Sequence, residues 1–340
     1  MKANYQAWNI DIDQFDELKS ETEKFRFLIK FAVLAPSSHN SQPWKFQITE
    51  NGIVLLPDFT RALPYSDNNH RQLFISLGAA LENLLVAADY YGFSSSYEFL
   101  YENNGTPAVQ VALQKTRDRL AEKDHLIFSI PKRHTNRNAY TETRPPAEIL
   151  QQLKSYVTAD TQVLFIENKE TKDAIAEVVV NALIAAMDDK LFRKELSAYV
   201  KSNITSSPLG MPASGFGIPT PVSLLAPTMI KYINMNKLSK KKDLELLREY
   251  TPVFGVIATK EDSPRSWTEA GKLYERIALL TEKNGFAIAP MAAVIQIGEF
   301  YKKLQQIADI PQRPQVFFRL GYSTSASLPT PRLALNKVKE

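Results

Sequence analysis

The chain has 340 residues, 44% of them apolar and 23% charged, with 41 Lys and Arg against 37 Asp and Glu for a net charge of +4. Such a chain can bury a sizeable core in one large domain or two ordinary ones, and its basic excess permits an anionic small ligand while falling short of a dedicated nucleic-acid binder. The absence of cysteine excludes disulfides, thiolate metal sites, iron–sulfur clusters and cysteine nucleophiles, and fits a reducing compartment.

The opening MKANYQAWNIDIDQF has no apolar stretch of the kind a secretory signal needs, and the weakly charged runs Glu177–Met187 and Gly285–Gly298 are too short and interrupted to span a bilayer. A soluble cytoplasmic protein is expected. Phe25, Leu28, Ile29, Ala32 and Ala35 recur at three- and four-residue steps, which predicts a helix over Thr22–Ala35 that Pro36 ends. The polar loop SSHNSQ follows, and then Trp44, Phe46 and Ile48 alternate with polar residues as in a strand, with Asn51-Gly52 as a hairpin turn into IVLLP.

A second helix is expected over Leu77–Tyr91, with strands at Ser96–Glu102 and Ala108–Lys115 and a charged segment over Lys115–Asp124. After KRHTNRNAYTETRPP a helix can begin with Pro146 in its first turn. A strand at Val163–Glu167 and a helix over Lys172–Lys190 precede Ser202–Lys242, which is dense in Pro, Gly, Ser and Met, lacks a sustained period and reads as an irregular insertion. Then come a strand over Thr251–Thr259, helices over Glu269–Asn284 and Ala292–Gln306, and a strand from Pro314. The mixture implies an α+β or α/β fold.

Two of these helices match. GAALENLLVAADYYGF (Gly78–Phe93) and GKLYERIALLTEKNGF (Gly271–Phe286) carry Gly, Glu and Gly-Phe in one register, with Leu84 opposite Ile277 and Val86 opposite Leu279. This is either an internal duplication or two unrelated core helices that share a glycine stop.

RHTNRNAY places Arg133 and Arg137 four positions apart around His134 and Thr135. Arginine makes paired, charge-assisted hydrogen bonds to phosphate, each about 1.5–3 kcal/mol, and Arg332 in LPTPR could join such a grip; the alternative is an exposed basic loop. No dinucleotide fingerprint, P-loop, HExxH or GxSxG motif is present, and His39, His70, His125 and His134 are too scattered to suggest a metal site. No nucleophile–base pair stands out, so an enzyme built from this chain would draw its reactive atom from a bound cofactor.

APSSHNSQPWKF, RHTNRNAY, GFAIAPM and the closing RLGY with PTPR together resemble, in order, the motifs of the flavin-dependent nitroreductase superfamily, and in particular its Acg-like branch of two units fused in one chain. The resemblance covers nearly the whole sequence. It implies an α+β nitroreductase-like fold, an internally duplicated pseudo-dimer of mixed sheets flanked by helices, with units over 1–125 and 126–340 and a lid-like insertion over 202–242. It implies one FMN per chain, with Arg133, Thr135, Arg137 and Arg332 on the phosphate and His134 contributing contacts. Pro36, Ser37, Ser38 and Asn40 would approach the flavin, and Pro290, Met291 and Ala292 would lie against its ring. His39 would be a bystander.

The first unit has DIDQFDELKSETEKF where an R-x-T-x-R would precede its helix, and the second has no P-S-S-x-N, so a reciprocal second site should be dead. The implied activity is ping-pong hydride transfer from NAD(P)H through FMN to a nitroaromatic, quinone or similar small acceptor. The alternative is an FMN storage protein whose closed lid permits little turnover. No metal, nucleic acid or membrane partner is expected, and the chain would be a monomer with a pseudo-dimeric site or a weak homodimer.

Overall fold

Ser20 explains where the first long helix starts. Its hydroxyl accepts from the Glu23 amide while the Glu23 carboxylate accepts from the Ser20 amide, so two donors orphaned at the N-terminus of α1 (Glu21–Ala32) are satisfied reciprocally. Phe25, Leu28, Ile29 and Ala32 are buried along it, and the helix ends short of Pro36. The computed structural model describes residues 2–101, 107–122 and 124–339.

β1 (Trp44–Thr49) and β2 (Gly52–Pro57) form a hairpin with Thr49 facing Gly52, so the turn is Glu50-Asn51, one residue earlier than expected. After α2 (Arg71–Tyr90), β3 (Phe93–Tyr101) and β4 (Pro107–Lys115) complete an antiparallel sheet in the order β1-β2-β4-β3. Glu102, the expected end of β3, lies outside the described residues. α3 (Ala147–Lys154) takes Pro146 as its N-cap rather than in its first turn.

A second antiparallel sheet follows. β5 (Thr161–Ile166), β8 (Val253–Thr259), β9 (Ala287–Pro290) and β10 (Arg313–Gly321) lie in the order β5-β8-β10-β9. Between β5 and β8 run α4 (Lys169–Asp188), α5 (Lys190–Tyr199), β6 (Val200–Lys201), β7 (Met211–Pro212), α6 (Thr220–Ser223), α7 (Ala226–Tyr232) and α8 (Met235–Arg248). α9 (Pro264–Lys283) joins β8 to β9, and α10 (Ala293–Gln296) and α11 (Phe300–Ala308) join β9 to β10. In both sheets the chain visits an edge strand, an inner strand, a 20-residue helix, the far edge and the remaining inner strand. Among the described residues, parallel pairing is confined to β6–β7 and to single bridges at Phe46–Lys339 and Thr135–Ile288.

α2 and α9 pack against each other in the centre of the core. A Cβ on Gly78 would stand 1.9 Å from the Thr268 carbonyl oxygen, and one on Gly271 would stand 2.0 Å from that of Ile75. Thr268 precedes Gly271 by the same three positions that separate Ile75 from Gly78. The contact is therefore reciprocal: each glycine lets the other helix's backbone in, and no residue with a side chain fits there. α2 has a mean hydropathy of 1.4 over its most apolar window, long and apolar enough by composition to cross a membrane, but 89% of that window is buried within the protein.

Several expected boundaries move. Asp189, expected inside a continuous helix, instead caps α5 by accepting from the Leu191 and Phe192 amides, so α4 stops before it. The helix expected over Ala292–Gln306 breaks at Gly298, whose φ of +47° no continuous helix allows. The segment 202–242, expected to be irregular, contains α6, α7 and the start of α8. Two of the prolines that read as breakers, Pro221 and Pro227, sit in the first turns of α6 and α7, where a missing N–H removes no helical bond.

Candidate functional site: arginines gathered at the end of α1

The last carbonyls of a helix lack intrahelical partners and carry partial negative charge, which favours cations. At the end of α1 two buried arginines arrive from distant parts of the chain. Arg332 Nη2 donates to the Leu34 and Ala35 carbonyls at 2.9 and 3.0 Å, and Arg133 Nη2 donates to Leu34 at 3.3 Å. Arg332 Nη1 also donates to Asn40 Oδ1 at 2.9 Å. Asn40 donates in turn to the Gly210 and Pro331 carbonyls, both at 2.9 Å, which ties the polar loop to the insertion and to the C-terminal segment.

Three residues of this loop hold left-handed backbone: His39, Asn40 and Gln42, with φ of 52°, 54° and 52°. Asparagine tolerates that region; for histidine and glutamine it stores roughly 1 kcal/mol or more each, which the surrounding bonds must offset. Gln42 shows how. Its amide accepts from the Leu333 N–H at 2.8 Å and donates to the Pro208 carbonyl at 2.7 Å, while the Ser37 hydroxyl accepts from its backbone N–H at 2.9 Å.

Charge around the arginines is incompletely balanced. Glu275 of α9 lies 2.9 Å from Arg133 Nε, both side chains buried. Burial pushes the Glu275 carboxyl up to about 7, with Glu82 raising it further and Arg133 acting against both. Burial, and secondarily Arg133, lowers Arg332 to about 9. His134 packs edge-on against Trp8 at 4.7 Å, and burial, Arg133 and Arg332 hold its imidazole down at about 3, neutral at ordinary pH. Trp8 also lies under the Arg332 guanidinium at 4.7 Å.

Arg133 Nη1 and Arg332 Nε remain buried donors with no hydrogen-bond partner among the described residues. Arg137 meets no carboxylate among the described residues. It reaches Met211 Sδ at 3.9 Å and lies 4.8 Å from the Phe216 ring. Unfilled buried donors on Arg133 and Arg332, with Arg137 nearby in sequence and one carboxylate among the three, suit a multiply charged oxyanion such as phosphate.

The sequence-predicted residues fall into three groups. Arg133, Arg332 and Asn40 form one bonded cluster with the Leu34 and Ala35 carbonyls. Thr135 and its neighbours run beside β9, through the Thr135–Ile288 bridge and the 3.0 Å bond from the Asn136 amide to the Ile288 carbonyl, which sets the arginine segment alongside the strand that ends at Pro290. Pro290 pairs with Phe318, the Met291 amide donates to the Phe317 carbonyl, and Ala292 caps α10. Ser38 donates to Gln72 at 3.3 Å, and Pro36 follows the Leu34 and Ala35 carbonyls directly.

No hydrogen bond among the described residues joins Pro290–Ala292 to Pro36–Asn40. His39 packs against Phe192 and Tyr199 of α5, with its buried Nδ1 unpartnered, and burial together with Arg137 lowers it to about 4. Sequence reasoning missed Glu275, Gln42 and Trp8. Of these only Glu275 left a signal, its register with Glu82 in the matching helices.

No family model matches the chain. It is similar to two proteins of Mycobacterium tuberculosis: "Putative NAD(P)H nitroreductase Rv3131", 23% identical over 325 residues that cover 94% of this chain and 92% of that protein, and "Putative NAD(P)H nitroreductase acg", 21% identical over 331 residues, 93% and 95%. Among solved structures, the FMN and NADPH-dependent nitroreductase NfnB from sphigopyxis sp. strain HMH overlaps 63% of this chain and 96% of its own at 14% identity, with a TM-score of 0.43.

Proposed function

We propose that the protein binds FMN and acts as an NAD(P)H-dependent oxidoreductase on a small acceptor such as a nitroaromatic or quinone. The observation that carries this reading is the pair of unmatched buried donors on Arg133 and Arg332, with Arg137 free of any carboxylate among the described residues, and with Asn40 of the strained Ser37–Gln42 loop bonded to Arg332. The similarity to proteins named NAD(P)H nitroreductases supports the same class.

In this reading Arg133 Nη1, Arg332 Nε, the Thr135 hydroxyl and Arg137 hold the phosphate. Neutral His134 packs beside them without adding a further charge. Asn40 fixes Arg332 and the loop together, so the phosphate grip and the Pro36–Asn40 wall keep one relative position. Pro290, Met291 and Ala292, on the strand that Thr135 bridges, form the side toward the ring. Bound FMN supplies the hydride chemistry, and no side chain of this set has to serve as an acid or base for it.

We also propose that residues 1–125 and 126–340 are two copies of one unit, supported by the common strand order and the reciprocal glycine contact, and that one FMN binds per chain. The test is spectroscopic. The purified protein should show flavin absorption, bind FMN at one per chain, bleach with NADPH or NADH in the absence of oxygen, and recover its colour with a nitroaromatic. A colourless protein that takes up no FMN overturns the reading.

One observation favours the storage alternative. The insertion is bonded down onto the site, through Pro208 on Gln42, Gly210 on Asn40 and Phe216 over Arg137. Yellow protein that stays oxidised with NAD(P)H would select storage over turnover.

A further inference from the structure

We propose that the insertion carries a docking surface for an anionic lipid bilayer at the α7–α8 corner. Residues 202–242 contain five lysines (Lys231, Lys237, Lys240, Lys241, Lys242) and no Asp or Glu, so this segment carries +5 while the whole chain carries +4. The positive charge of the molecule is a property of this one region.

The same region exposes large apolar side chains. Leu224 is 59% exposed, Leu225 62%, Tyr232 68% and Leu238 75%, with Val222 and Ile233 also exposed. Leu224, Leu225, Thr228 and Tyr232 recur at three- and four-residue steps, which puts them along one side of α7 and its lead-in turn, while Ala226 on another side is buried against Val200, Met211 and Ala213. The packed side of α7 is thus accounted for, and the apolar side faces away from it. Asn234 fixes the corner by donating to the Ile184 carbonyl and to Asp188.

The charges nearby favour an acidic partner. Lys237 is paired with Asp188 at 2.7 Å, and Ser239 donates to Asp243 at 2.7 Å. Lys231, Lys240, Lys241 and Lys242 are exposed and form no salt bridge among the described residues. Lys231 lies 5.1 Å over the exposed Tyr232 ring, and exposed Leu238 is followed three and four positions on along α8 by Lys241 and Lys242, which matches an interfacial segment in which apolar side chains enter the headgroup boundary and lysines meet anionic lipid. This proposal departs from the expectation of no membrane partner. Phe216 and Met211, which cover Arg137, belong to the same insertion, so docking would set the cover of the candidate site near the bilayer. That last consequence rests on the oxidoreductase reading; the docking itself does not.

The test is co-sedimentation of the full chain with phosphatidylcholine vesicles, with and without phosphatidylserine, and it needs no flavin. Binding is expected only to the anionic vesicles and should weaken as salt rises. Neutralising Lys240, Lys241 and Lys242 to Gln should weaken it roughly 100-fold, at about fivefold per lysine. The double variant Leu224→Ser/Leu225→Ser should weaken it at least tenfold, on the order expected for losing two buried apolar side chains. Both variants change exposed positions and should melt like the wild type. The proposal is overturned if the wild type binds no vesicles, or if neither variant changes the binding. It is also overturned if the patch joins two chains instead, seen as a concentration-dependent dimer in sedimentation velocity that Leu224→Ser/Leu225→Ser abolishes.

Discussion

Glu82 and Glu275 occupy the same step of α2 and α9, four residues past the glycine at the crossing, and burial raises both carboxyls. They are answered differently. Glu82 is met by Arg276 of the facing helix, whose side chain is 30% exposed. Glu275 is met by Arg133, 3% exposed, which comes from outside both sheets and also donates to the end of α1. One scaffold position thus braces two helices at one end of the interface, while at the other it fixes an arginine that still has a free donor.

The largest effect should come from breaking the second pair. Arg133→Ala leaves a buried carboxylate unanswered and should destabilise by about 3–5 kcal/mol in urea unfolding, and the protein should lose bound flavin. Arg276→Ala should cost less, because water can reach the space it leaves, and should retain flavin. Equal losses of stability and of flavin in the two variants would erase the distinction.

Next come the glycines. Gly78→Ala and Gly271→Ala each drive a methyl group into a backbone carbonyl and should each cost about 3 kcal/mol. Because both act on one crossing, the double variant should fall short of the sum, which a double-mutant cycle would register.

A smaller effect concerns pH. His134 has a folded pKa of about 3, against an ordinary value of 6.5, so the unfolded chain takes up the proton first. The stability this provides is full above about pH 6.5 and declines as the pH falls toward 3. Glu275, raised to about 7, works the other way: its burial penalty is relieved as the pH falls from 7. The two offset each other in the wild type, so the measurement is a difference. Between about pH 7 and about pH 5, His134→Asn should gain about 2 kcal/mol relative to the wild type. The smallest expected change is in Phe216→Ala, which removes the ring over Arg137 and should shift flavin affinity by only about 0.5–1 kcal/mol in a titration.

Strong periodicity made most of the framework legible in the sequence. α1, α2, α9 and the strands around Trp44 and Thr251 were all expected, and the matched glycines turned out to be the point where α2 and α9 meet. β9 was not seen, because Ala287–Pro290 is four residues without alternation, held by pairing with β10 and a single bridge to Thr135. α6 and α7 were hidden by prolines that serve as first-turn residues. In the site, Arg133, Arg332 and Asn40 were singled out individually, but nothing local announced that they meet at the Leu34 and Ala35 carbonyls. Trp8 and Gln42 act through contacts across most of the chain, with Trp8 donating to the Thr330 carbonyl at 2.8 Å, and no local pattern encodes such contacts.

The bonds from Arg332 to Leu34, Ala35 and Asn40 have a consequence in time. They span 298, 297 and 292 residues of sequence, so the end of α1 waits for its partners until synthesis has passed nearly the whole chain. Contacts of that separation carry a large loop-closure entropy and are late events in folding. The two sheets can form from shorter-range pairings, whereas the arginine cluster is a clasp that closes last, and until then the candidate site does not exist.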